Sequence, residues 1–518
     1  MIKNYNINQE PITIKRALLS VYDKTKIKEL ALNLAKHNIE IVSTGGTAKL
    51  LKKENISVIE IEEYTNFPEI MDGRVKTINP IVEGGILALR DVHMSDMKKN
   101  NIGQIDLVVC NLYPFDSIIK NSDHTLSEAF ENIDIGGPTM IRSAAKNIGW
   151  VAVATHPKDY QLIMDELNDQ GSISYKTREH LAKKAFLTTS VYESSISNYL
   201  YDNEPQDQFT MVFDKFSNLR YGENPHQTAS AYHLKGDNSN NILNAKQHQG
   251  KQLSYNNIMD ADAALYCLRE FNQTACVIVK HANPCGVSIG DDLVETYQNA
   301  FKADSVSAFG GIVAINRKCT EELAEILKNI FIEIVIAPSF EKEALKILST
   351  KKNLRLLEVQ DIENQDRKYE MRNLNGGILV QQENNDVLKI EELKVVTNTK
   401  PSEDTIKSML FGWQVLKHVK SNAIITVKDN TTVGIGAGQV SRIDAVDIAI
   451  SKSKAAIKGS ILCSDAFFPF RDSIDKISQY NINGVIQPGG SIKDNEVIDA
   501  CNEHNIPMVF TGRRCFKH

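Results

Sequence analysis

Short apolar runs alternate with amphipathic segments through the N-terminal part of the chain, and this alternation predicts strands and helices in turn. Segments 17–21 and 39–42 are apolar runs of the length of buried parallel strands. Further strands are predicted at 56–61 and 104–110. Between the first two strands, apolar residues recur at the spacing of one helix face: Ile27, Leu30, Ala31, Leu34 and Ala35. The βαβαβ order predicts a parallel sheet with helices on both faces.

The polar segment 201–208 carries a proline and lacks periodicity, so it predicts the main boundary of the chain. We expect a domain over 1–200, a linker over 201–215 and a second region over 216–518. In that region, strands are predicted at 275–279, 311–315, 332–336, 378–381, 423–427 and 507–510. Asp429-Asn430 between two apolar runs indicates a hairpin, so this second sheet is expected to be mixed.

The composition is typical of a soluble globular protein, with 42% hydrophobic and 24% charged residues among 518. Lysine and arginine number 59 against 65 aspartates and glutamates, and this net charge of −6 disfavours a dedicated nucleic-acid-binding protein. No apolar run approaches the roughly 18 residues of a membrane span. The first residues contain no apolar signal core. We therefore expect a cytoplasmic protein with neither nucleic acid nor membrane as partner.

Two Gly-Gly segments follow predicted strands and open predicted helices. Segment 43–47 reads Ser-Thr-Gly-Gly-Thr, and segment 134–139 reads Asp-Ile-Gly-Gly-Pro-Thr, with Pro138 expected at the first helical position. Glycine lets backbone N–H groups approach an anion, and a helix N-terminus adds partial positive charge. The first segment alone fits an ordinary strand-to-helix turn equally well. The two together favour a phosphorylated small molecule as ligand. Segment 73–77 adds two cations, although such residues are more typical of a solvated face.

The segment around Lys280 and His281 is the most informative for chemistry. An apolar strand ends directly in these two residues, and ligands bind at the open ends of strands in such sheets. Successive strand residues point to opposite faces, so both side chains can line one pocket only if the strand breaks there. Pro284 favours such a break. His281 would then act as a general base, whereas a structural role is the commoner one for a lone histidine.

Zinc chemistry is disfavoured by the same segment. His281, Asn283, Pro284 and Cys285 superficially resemble the zinc-deaminase pattern H-x-E…P-C-x-x-C. However, Asn283 stands at the glutamate position, and Ser288 stands where the second cysteine would be. None of the eight cysteines forms a C-x-x-C pair, which also argues against a zinc ribbon or a thioredoxin-type centre.

A series of motifs from about residue 16 to the last residue resembles one known family. In chain order these motifs are SVYDKT, STGGTA, FPEIMDGRVKT, CNLYPF, IDIGGPTMIRSAAKN, LRYGENPHQ, GKQLSYNN, IVKHANPCG, SAFGGIVAIN, KSNAI, GIGAGQVSR, SDAFFPF and GRRCFKH. Together they are similar to the bifunctional purine-biosynthesis family with phosphoribosylaminoimidazolecarboxamide (AICAR) formyltransferase and IMP cyclohydrolase activities. Any one motif is a weak signal, whereas the ordered series is highly specific.

The resemblance implies an α/β fold and two consecutive reactions. Its N-terminal domain would be similar to methylglyoxal synthase, with a parallel sheet, and would close formyl-AICAR to IMP with loss of water. Its C-terminal region would consist of two cytidine-deaminase-like subdomains without zinc, which transfer a formyl group from the cosubstrate 10-formyltetrahydrofolate to AICAR. The resemblance implies small-molecule substrates, no tightly bound cofactor and no metal ligand, with a monovalent cation as an open question. It also implies a homodimer whose formyltransferase site is built from both subunits.

The resemblance also implies site residues, position by position. For formyl transfer it implies Lys280 and His281, with His281 as base on the 5-amino group, and Asn422 as the partner that orients the amine or His281. For ring closure the catalytic residues would be Lys76, Tyr113, Asp134 and Lys146. The substrate-binding residues would be Tyr22, Lys24, Thr44, Gly45, Gly46, Thr47, Arg74, Thr77 and Asn111 in the first domain, and Arg220, Tyr221, His226, Glu333, Arg442, Asp465, Phe467 and Arg514 in the second region.

The chain departs from the family pattern directly after Thr77. Asn79, Ile81 and Glu83 replace two histidines and a lysine, and Glu83 brings a negative charge toward a site for an anionic substrate. Tyr22 also replaces a small residue. These changes leave open a formyltransferase with a degraded cyclohydrolase domain. A nucleotide-binding protein without turnover, a zinc deaminase and an oxidoreductase are further alternatives. The intact Lys280-His281 pair argues against the first of these three, and the lack of a dinucleotide fingerprint against the last.

Overall fold

The chain forms two compact units, residues 1–212 and 213–518, in a computed structural model that describes residues 5–201, 204, 206–362 and 369–518. The division falls inside the predicted linker, 201–215, of which residues 202, 203 and 205 lie outside the described residues. The last residues of that predicted linker already belong to a strand, which begins at Phe213. Each unit is described separately below.

The N-terminal unit is built around one parallel sheet. Its strands are Arg16–Val21 (β1), Glu40–Ser43 (β2), Ile59–Glu60 (β3), Leu107–Asn111 (β4) and Ala152–Ala154 (β5). Their order is β3-β2-β1-β4-β5, and every pair is parallel, as predicted. Leu18 and Leu19 are fully buried in cores on opposite faces of the sheet. Alternate residues of a strand point to opposite faces, so both faces of this sheet are covered.

Helices cover the two faces of this sheet. They are Ile27–Lys36 (α1), Gly45–Lys53 (α2), Ile61–Thr65 (α3), Pro80–Leu87 (α4), Met94–Lys99 (α5), Phe115–Ile119 (α6), Leu126–Glu131 (α7), Gly136–Lys146 (α8), Tyr160–Gln170 (α9) and Tyr175–Leu200 (α10). The predicted strand at 56–61 is wrong for most of its length, because Ile61 starts α3, where Glu62 and Glu63 favour a helix N-terminus. The predicted position of Pro138 is also wrong: it is the third residue of α8, still in the first turn, where proline is tolerated.

The C-terminal unit contains a 12-stranded mixed sheet and two separate hairpins. The hairpins are Phe213–Leu219 (β6) with Ala229–Leu234 (β7), and Tyr369–Leu374 (β14) with Gly377–Gln382 (β15). The large sheet consists of Lys246–Gln249 (β8), Thr274–Lys280 (β9), Asn283–Gly290 (β10), Ile312–Ile315 (β11), Ile334–Ala337 (β12), Arg355–Glu358 (β13), Lys394–Val395 (β16), Ile424–Lys428 (β17), Thr431–Gly436 (β18), Ile461–Ser464 (β19), Gly484–Gln487 (β20) and Met508–Phe510 (β21). The predicted hairpin at Asp429-Asn430 is confirmed, whereas the strand predicted at 378–381 belongs to a separate hairpin.

Helices pack on both faces of this sheet as well. They are Tyr255–Leu268 (α11), Leu293–Ala303 (α12), Ser305–Ala308 (α13), Glu321–Leu327 (α14), Lys342–Leu348 (α15), Glu403–Leu416 (α16), Arg442–Ser453 (α17), Asp472–Ile477 (α18) and Asp494–Glu503 (α19). None of the helices in the described part of the chain is both long and apolar enough to cross a membrane.

The large sheet contains the same arrangement twice, in a first half (residues 246–358) and a second half (residues 394–510). Outward from the central pair β10–β18, the order is β9, β11, β12, β13, β8 on one side and β17, β19, β20, β21, β16 on the other. Helices α11 and α16 both have 14 residues and follow a serine N-cap. A Cβ at Gly286 would lie 2.0 Å from the oxygen of Ala300, and one at Gly434 would lie 2.1 Å from the oxygen of Ala449. The two halves therefore correspond residue by residue at these contacts.

Because β10 and β18 are antiparallel, the start of β10 and the end of β18 lie at the same edge of the sheet. Ser288 of β10 lies opposite Thr431 of β18. The turn between β9 and β10 therefore lies at the same edge as the start of β17. Asn283 joins the two, because its side-chain oxygen accepts a hydrogen bond from the backbone N–H of Lys420 at 3.1 Å.

A buried charged cluster connects the ends of α11 and α16. Glu270 accepts a hydrogen bond from Lys417 Nζ at 2.8 Å, and its carboxylate lies 3.0 Å from Nε2 of His418. Burial lowers the pKa of His418 to about 4, with the charges of Lys517 and Lys417 acting in the same direction and Glu270 opposing them. The neutral imidazole is therefore the form that fits the folded protein.

We expect this histidine to make the C-terminal unit sensitive to acid. Unfolded His418 takes up a proton below its ordinary pKa of about 6.5, whereas the folded form resists protonation down to about pH 4. As the pH decreases from about 6.5 to about 4, the protonation of unfolded His418 should therefore lower the free energy of unfolding by about 3 kcal/mol. Urea titrations followed by Trp413 fluorescence in a Trp150→Phe background measure it. His418→Gln should flatten the slope, and an unchanged slope would contradict the assignment.

Candidate active sites

A two-residue turn presents His281 at the edge of the C-terminal sheet. Strand β9 ends at Lys280, His281 and Ala282 have φ angles of 53° and 56°, and β10 begins at Asn283. The predicted break in the strand is confirmed, but Pro284 is not its cause, because that residue lies inside β10. Lys280 Nζ donates a hydrogen bond to the backbone oxygen of Phe309 at 2.8 Å. The two side chains thus leave the strand at its open end.

His281 lines a cavity of about 640 Å³ in the C-terminal unit. Three other predicted site residues also line it: Arg220, Tyr221 and Glu333. The wall further includes cations that the sequence reasoning missed, namely Lys251, Lys351, Lys352 and Arg355. Glu333 is paired with Arg355 at 2.7 Å, and Asp260 is the other carboxylate of the lining. Cations outnumber carboxylates around this cavity, so it suits an anionic ligand.

A second group of predicted residues forms a buried network near the start of β17. Arg442 donates from Nη2 to Asn422 Oδ1 at 2.8 Å and is paired through Nη1 with Asp465, which is fully buried. Asp465 Oδ2 also accepts from Ser421 Oγ at 2.5 Å and from the N–H of Ala423 at 3.0 Å. This network fixes the orientation of the Asn422 side chain, whose Nδ2 donates to a backbone oxygen.

The remaining predicted residues of this unit, His226, Phe467 and Arg514, are not part of the described cavity lining. His226 is exposed in the loop that begins with Arg220. Phe467 is 42% exposed, two residues after Asp465. Arg514 stacks over the ring of Phe516 at 4.8 Å. Over the described residues, no group of three or more His, Cys, Asp or Glu side chains is arranged to hold a metal ion.

In the N-terminal unit, the ends of three parallel strands meet around predicted binding residues. Asn111, at the end of β4, accepts on Oδ1 from the N–H of Tyr22 at 2.6 Å. Lys24 Nζ donates to Thr47 Oγ1 at 3.0 Å, and Thr44 Oγ1 lies 2.8 Å from the hydroxyl of Ser20. Burial lowers the pKa of Lys24. The carboxyl ends of parallel strands are where such sheets bind ligands, so this is the expected place for the phosphate site.

Lys76, Asp134 and Tyr113 come together beside the two Gly-Gly loops. A Cβ at Gly45 would lie 3.8 Å from Lys76 Nζ, and one at Gly136 would lie 2.6 Å from Thr77 Oγ1. The first distance is an ordinary van der Waals contact, whereas the second is too short for a real Cβ, so the close approach to Thr77 requires the glycine at position 136. Burial raises the pKa of Asp134, against the N–H groups and the Lys76 charge that lower it. Burial and then the Asp134 charge raise the pKa of Tyr113.

Three predicted residues of this unit stand apart from that group. Lys146 is exposed at the far end of α8, about 15 Å along the helix axis from Gly136 at 1.5 Å per residue. Arg74 is exposed and paired with Glu131. Gly46 lies in the first turn of α2, where nothing would approach an added Cβ within 4 Å.

The residues that depart from the family pattern have structural partners. Asn79 caps α4, since its Oδ1 accepts from the N–H of Ile81 at 2.9 Å. Glu83 accepts from Ser143 Oγ at 2.5 Å, and burial raises its pKa. Glu83 therefore lies against α8, where burial favours its protonated form over the negative charge expected from the sequence.

Comparison with known proteins identifies two family models in the chain. The model described as AICARFT/IMPCHase bienzyme matches residues 144–452. The model described as MGS-like domain matches residues 26–139, which lie in the N-terminal unit. This match confirms the predicted methylglyoxal-synthase-like domain with its parallel sheet.

Curated relatives match over nearly the full chain. The bifunctional purine biosynthesis protein PurH of Caldicellulosiruptor saccharolyticus is 49% identical over 512 residues, covering 97% of this chain and all of that protein. PurH of Acetivibrio thermocellus is 49% identical over 513 residues, covering 98% and 100%. A solved structure titled "Crystal structure of ForH" is 31% identical over 36% of this chain and 100% of its own, with a TM-score of 0.32 that is too low to bear on the fold. The chain belongs to the AICARFT/IMPCHase bienzyme family.

Proposed function

We propose that each of the two activities of this bienzyme is carried by a separate group of residues, one in each compact unit. The chain is a bifunctional enzyme of purine biosynthesis, with AICAR formyltransferase and IMP cyclohydrolase activities. The observation that carries the assignment is the cation-rich cavity in which His281, Arg220, Tyr221 and Glu333 meet. The predicted domain limits of 1–200 and 216–518, with their linker, are retained as part of this proposal.

Formyl transfer is assigned to the turn at Lys280 and His281. The 5-amino nitrogen of AICAR attacks the formyl carbon of 10-formyltetrahydrofolate, a C–N bond forms, and the bond from N10 to the formyl carbon breaks. His281 takes the proton from the amine and returns one to N10, so that tetrahydrofolate leaves. Such acid–base assistance contributes about 10²- to 10⁴-fold. Lys280 is assigned a role beside His281, although its Nζ donates to the backbone oxygen of Phe309 and it is not part of the described cavity lining, and Asn422 would orient the amine or His281.

Substrate binding in this unit is assigned to the cationic cavity wall and to the buried network. Arg220 and Tyr221 would receive the phosphate of AICAR, since the excess of cations favours a dianion. Asn283 supports a link between the two groups, because its side chain joins the His281 turn to Lys420, two residues before Asn422. The other predicted binding residues are retained on this basis: His226, Glu333, Arg442, Asp465, Phe467 and Arg514.

Ring closure is assigned to Lys76, Tyr113 and Asp134. The carboxamide nitrogen of formyl-AICAR attacks the formyl carbon, and the resulting oxyanion is stabilised by the ammonium of Lys76. Asp134 and Tyr113 carry one proton from the attacking nitrogen and a second from the formamide nitrogen to this oxygen. The C–O bond then breaks, the oxygen leaves as water, and the formamide nitrogen forms the C=N bond of the new ring. The raised pKa of Asp134 supports this role, because a carboxyl that is protonated closer to neutral pH can act as an acid. The nucleotide would be held by Tyr22, Lys24, Thr44, Gly45, Gly46, Thr47, Arg74, Thr77 and Asn111.

The two halves of the large sheet are proposed to be the cytidine-deaminase-like subdomains, without zinc. Ser288 supports the lack of zinc in the first half, because its hydroxyl is engaged with Thr431 Oγ1 at 2.7 Å instead of serving as a ligand. A homodimer is proposed because the β6–β7 hairpin leaves large apolar side chains exposed: Phe213, Phe216, Tyr232 and Leu234. The monovalent cation and the cytoplasmic location remain predictions.

The assignment of ring closure predicts different effects for Lys76 and Lys146, the two lysines that the family resemblance implies as catalytic. Lys76→Ala should slow IMP formation from formyl-AICAR by about 10²-fold, the usual cost of losing one oxyanion-stabilising group. Lys146→Ala should have a smaller effect, because Lys146 lies at the far end of α8. Stopped time courses separated by chromatography measure both rates.

The same variants report on the separation of the two activities. Release of tetrahydrofolate from AICAR and 10-formyltetrahydrofolate should remain at the wild-type rate in Lys76→Ala, with formyl-AICAR accumulating. An equal loss of IMP formation in both variants would overturn the central position given to Lys76. A loss of formyl transfer in Lys76→Ala would overturn the separation of the activities.

A further inference from the structure

The turn that carries His281 has residue types that do not favour its backbone conformation. Both central residues have positive φ, 53° for His281 and 56° for Ala282. Two-residue turns of this kind favour Asn-Gly or Asp-Gly, because a left-handed backbone crowds the Cβ of other residues against a carbonyl oxygen. Support from outside the turn is therefore needed to hold it.

Asp260 of α11 provides this support. Its Oδ1 accepts a hydrogen bond from the N–H of Ala282 at 2.8 Å, and its Oδ2 accepts from the N–H of His281 at 3.2 Å. The carbonyl oxygen of His281 accepts from Asn283 Nδ2 at 3.2 Å. Both peptide groups that flank His281 are thus held by side chains, and each oxygen of one carboxylate binds one of them.

The second half of the sheet contains the matching turn without such a carboxylate. Asp429 and Asn430, with φ angles of 48° and 57°, join β17 to β18. Both are residue types that tolerate this conformation. The position of Asp260, the sixth residue of its helix, is taken in α16 by Ser408. Within the described residues, no hydrogen bond joins Ser408 to that turn. Within the described residues, a carboxylate from the packed helix therefore accepts hydrogen bonds only at the turn that carries the histidine.

We propose that Asp260 is a positioning residue for formyl transfer, whose carboxylate holds the turn so that the His281 imidazole faces the cavity. The proposal rests on the role of His281 as base. It differs from a general contribution to folding, because the two bonds end on the peptide groups that set the direction of this one side chain. Misplacing a catalytic group by about 1 Å costs about 10²-fold in rate.

Asp260→Asn tests the proposal in the full-length protein. The amide keeps one acceptor but places an NH₂ group against a backbone N–H. We expect kcat for formyl transfer to fall by about 10²-fold, with the KM for AICAR changed by less than about threefold, since uniform binding is preserved. Asp260→Ser introduces the residue type of Ser408 at the corresponding position of α11, and it should lower kcat to a similar extent. Asp262→Asn removes the same charge two residues along α11 and should leave kcat unchanged.

A rescue experiment separates positioning from direct action on the substrate. Adding Ala282→Gly to Asp260→Asn should restore about tenfold of the lost kcat, because glycine adopts positive φ without the Cβ cost. Wild-type kcat in Asp260→Asn, or no recovery with Ala282→Gly, would overturn the proposal. Urea titration followed by Trp413 fluorescence in the Trp150→Phe background verifies that the C-terminal unit of each variant is folded.

A parallel His281→Ala variant distinguishes failure of the positioning role of Asp260 from failure of the role of His281 as base. If His281→Ala is inactive in formyl transfer while Asp260→Asn is fully active, only the role of Asp260 is overturned. If His281→Ala keeps formyl transfer, the role of His281 as base is overturned, and the positioning role of Asp260 is overturned with it.

Discussion

Replacing His281 with alanine is expected to lower kcat for formyl transfer by about 10²- to 10⁴-fold, the range that a general base contributes. The 5-amino group of AICAR is a weak nucleophile, and removal of its proton during attack needs an acceptor at the edge of the cavity. His281 lines that cavity at the open end of β9. Release of tetrahydrofolate from AICAR and 10-formyltetrahydrofolate, followed spectrophotometrically, gives the rate.

The same His281→Ala protein should convert formyl-AICAR to IMP within about twofold of the wild-type rate, because the residues assigned to ring closure belong to the other compact unit and share no described partner with His281. His504 offers a matched control, since it is a partly exposed histidine of the same unit, paired with Asp475 at 3.1 Å. His504→Ala should leave both rates unchanged. If His281→Ala lost less than about tenfold in formyl transfer, a general base would have to be sought elsewhere.

The local pattern of the sequence was enough for about half of the strands and for the first helix. The parallel sheet of the N-terminal unit follows from short apolar runs, which are buried on both faces. Strand β10 could not be predicted, because Pro284 and Gly286 within it are residues that usually interrupt strands. A Cβ at Gly286 would collide with α12, so this glycine reflects a helix packed against the strand. A contact between a strand and a helix packed on it leaves no signal in the local pattern of apolar and polar residues.

Most candidate site residues were predicted from the family resemblance, and only the Lys280-His281 segment and the Gly-Gly segments were argued from the chemistry of the residues themselves. Arg220, His281 and Glu333 were selected from the sequence and meet at one cavity. Asp260 was missed, because its partners lie 21 and 22 residues away along the chain. The signal for it, a turn of unfavourable residue types that needs an external acceptor, exists only once the backbone angles are known. Lys146 stays a prediction, since its motif matches the family while its position lies about 15 Å along α8 from Gly136.

The doubled architecture of the C-terminal sheet explains why its two candidate groups differ in chemistry. Because β10 and β18 are antiparallel, the turn end of the first half and the strand-start end of the second half lie at one edge. The first half contributes a turn with a histidine, and the second contributes a buried ion pair. At the position of Arg442, the first residue of α17, the first half has Leu293, the first residue of α12. The two similar halves therefore carry their candidate site residues at opposite ends, the first half at the β9–β10 turn and the second half near the start of β17.

Replacing Asp465 with alanine is expected to destabilise the C-terminal unit by about 3–5 kcal/mol, the cost of removing one partner of a buried ion pair. Asp465 is fully buried, and the change leaves the guanidinium of Arg442 without its counter-ion and the N–H of Ala423 without its acceptor. Urea titration followed by Trp413 fluorescence in the Trp150→Phe background measures the loss. The N-terminal unit should keep its rate of IMP formation from formyl-AICAR.

The first half of the sheet supplies the control for this prediction. Asn316 accepts from the N–H of Ala275 at 2.8 Å, as Asp465 does from Ala423, and the helix position that corresponds to Arg442 is occupied by Leu293. The double variant Asp465→Asn with Arg442→Leu copies that arrangement, so it should be more stable than Asp465→Asn alone, because no buried charge is left unpaired. A double variant no more stable than Asp465→Asn would contradict the view that the unpaired guanidinium causes the loss. Formyl transfer should stay low in the double variant, since the arginine that orients Asn422 is gone.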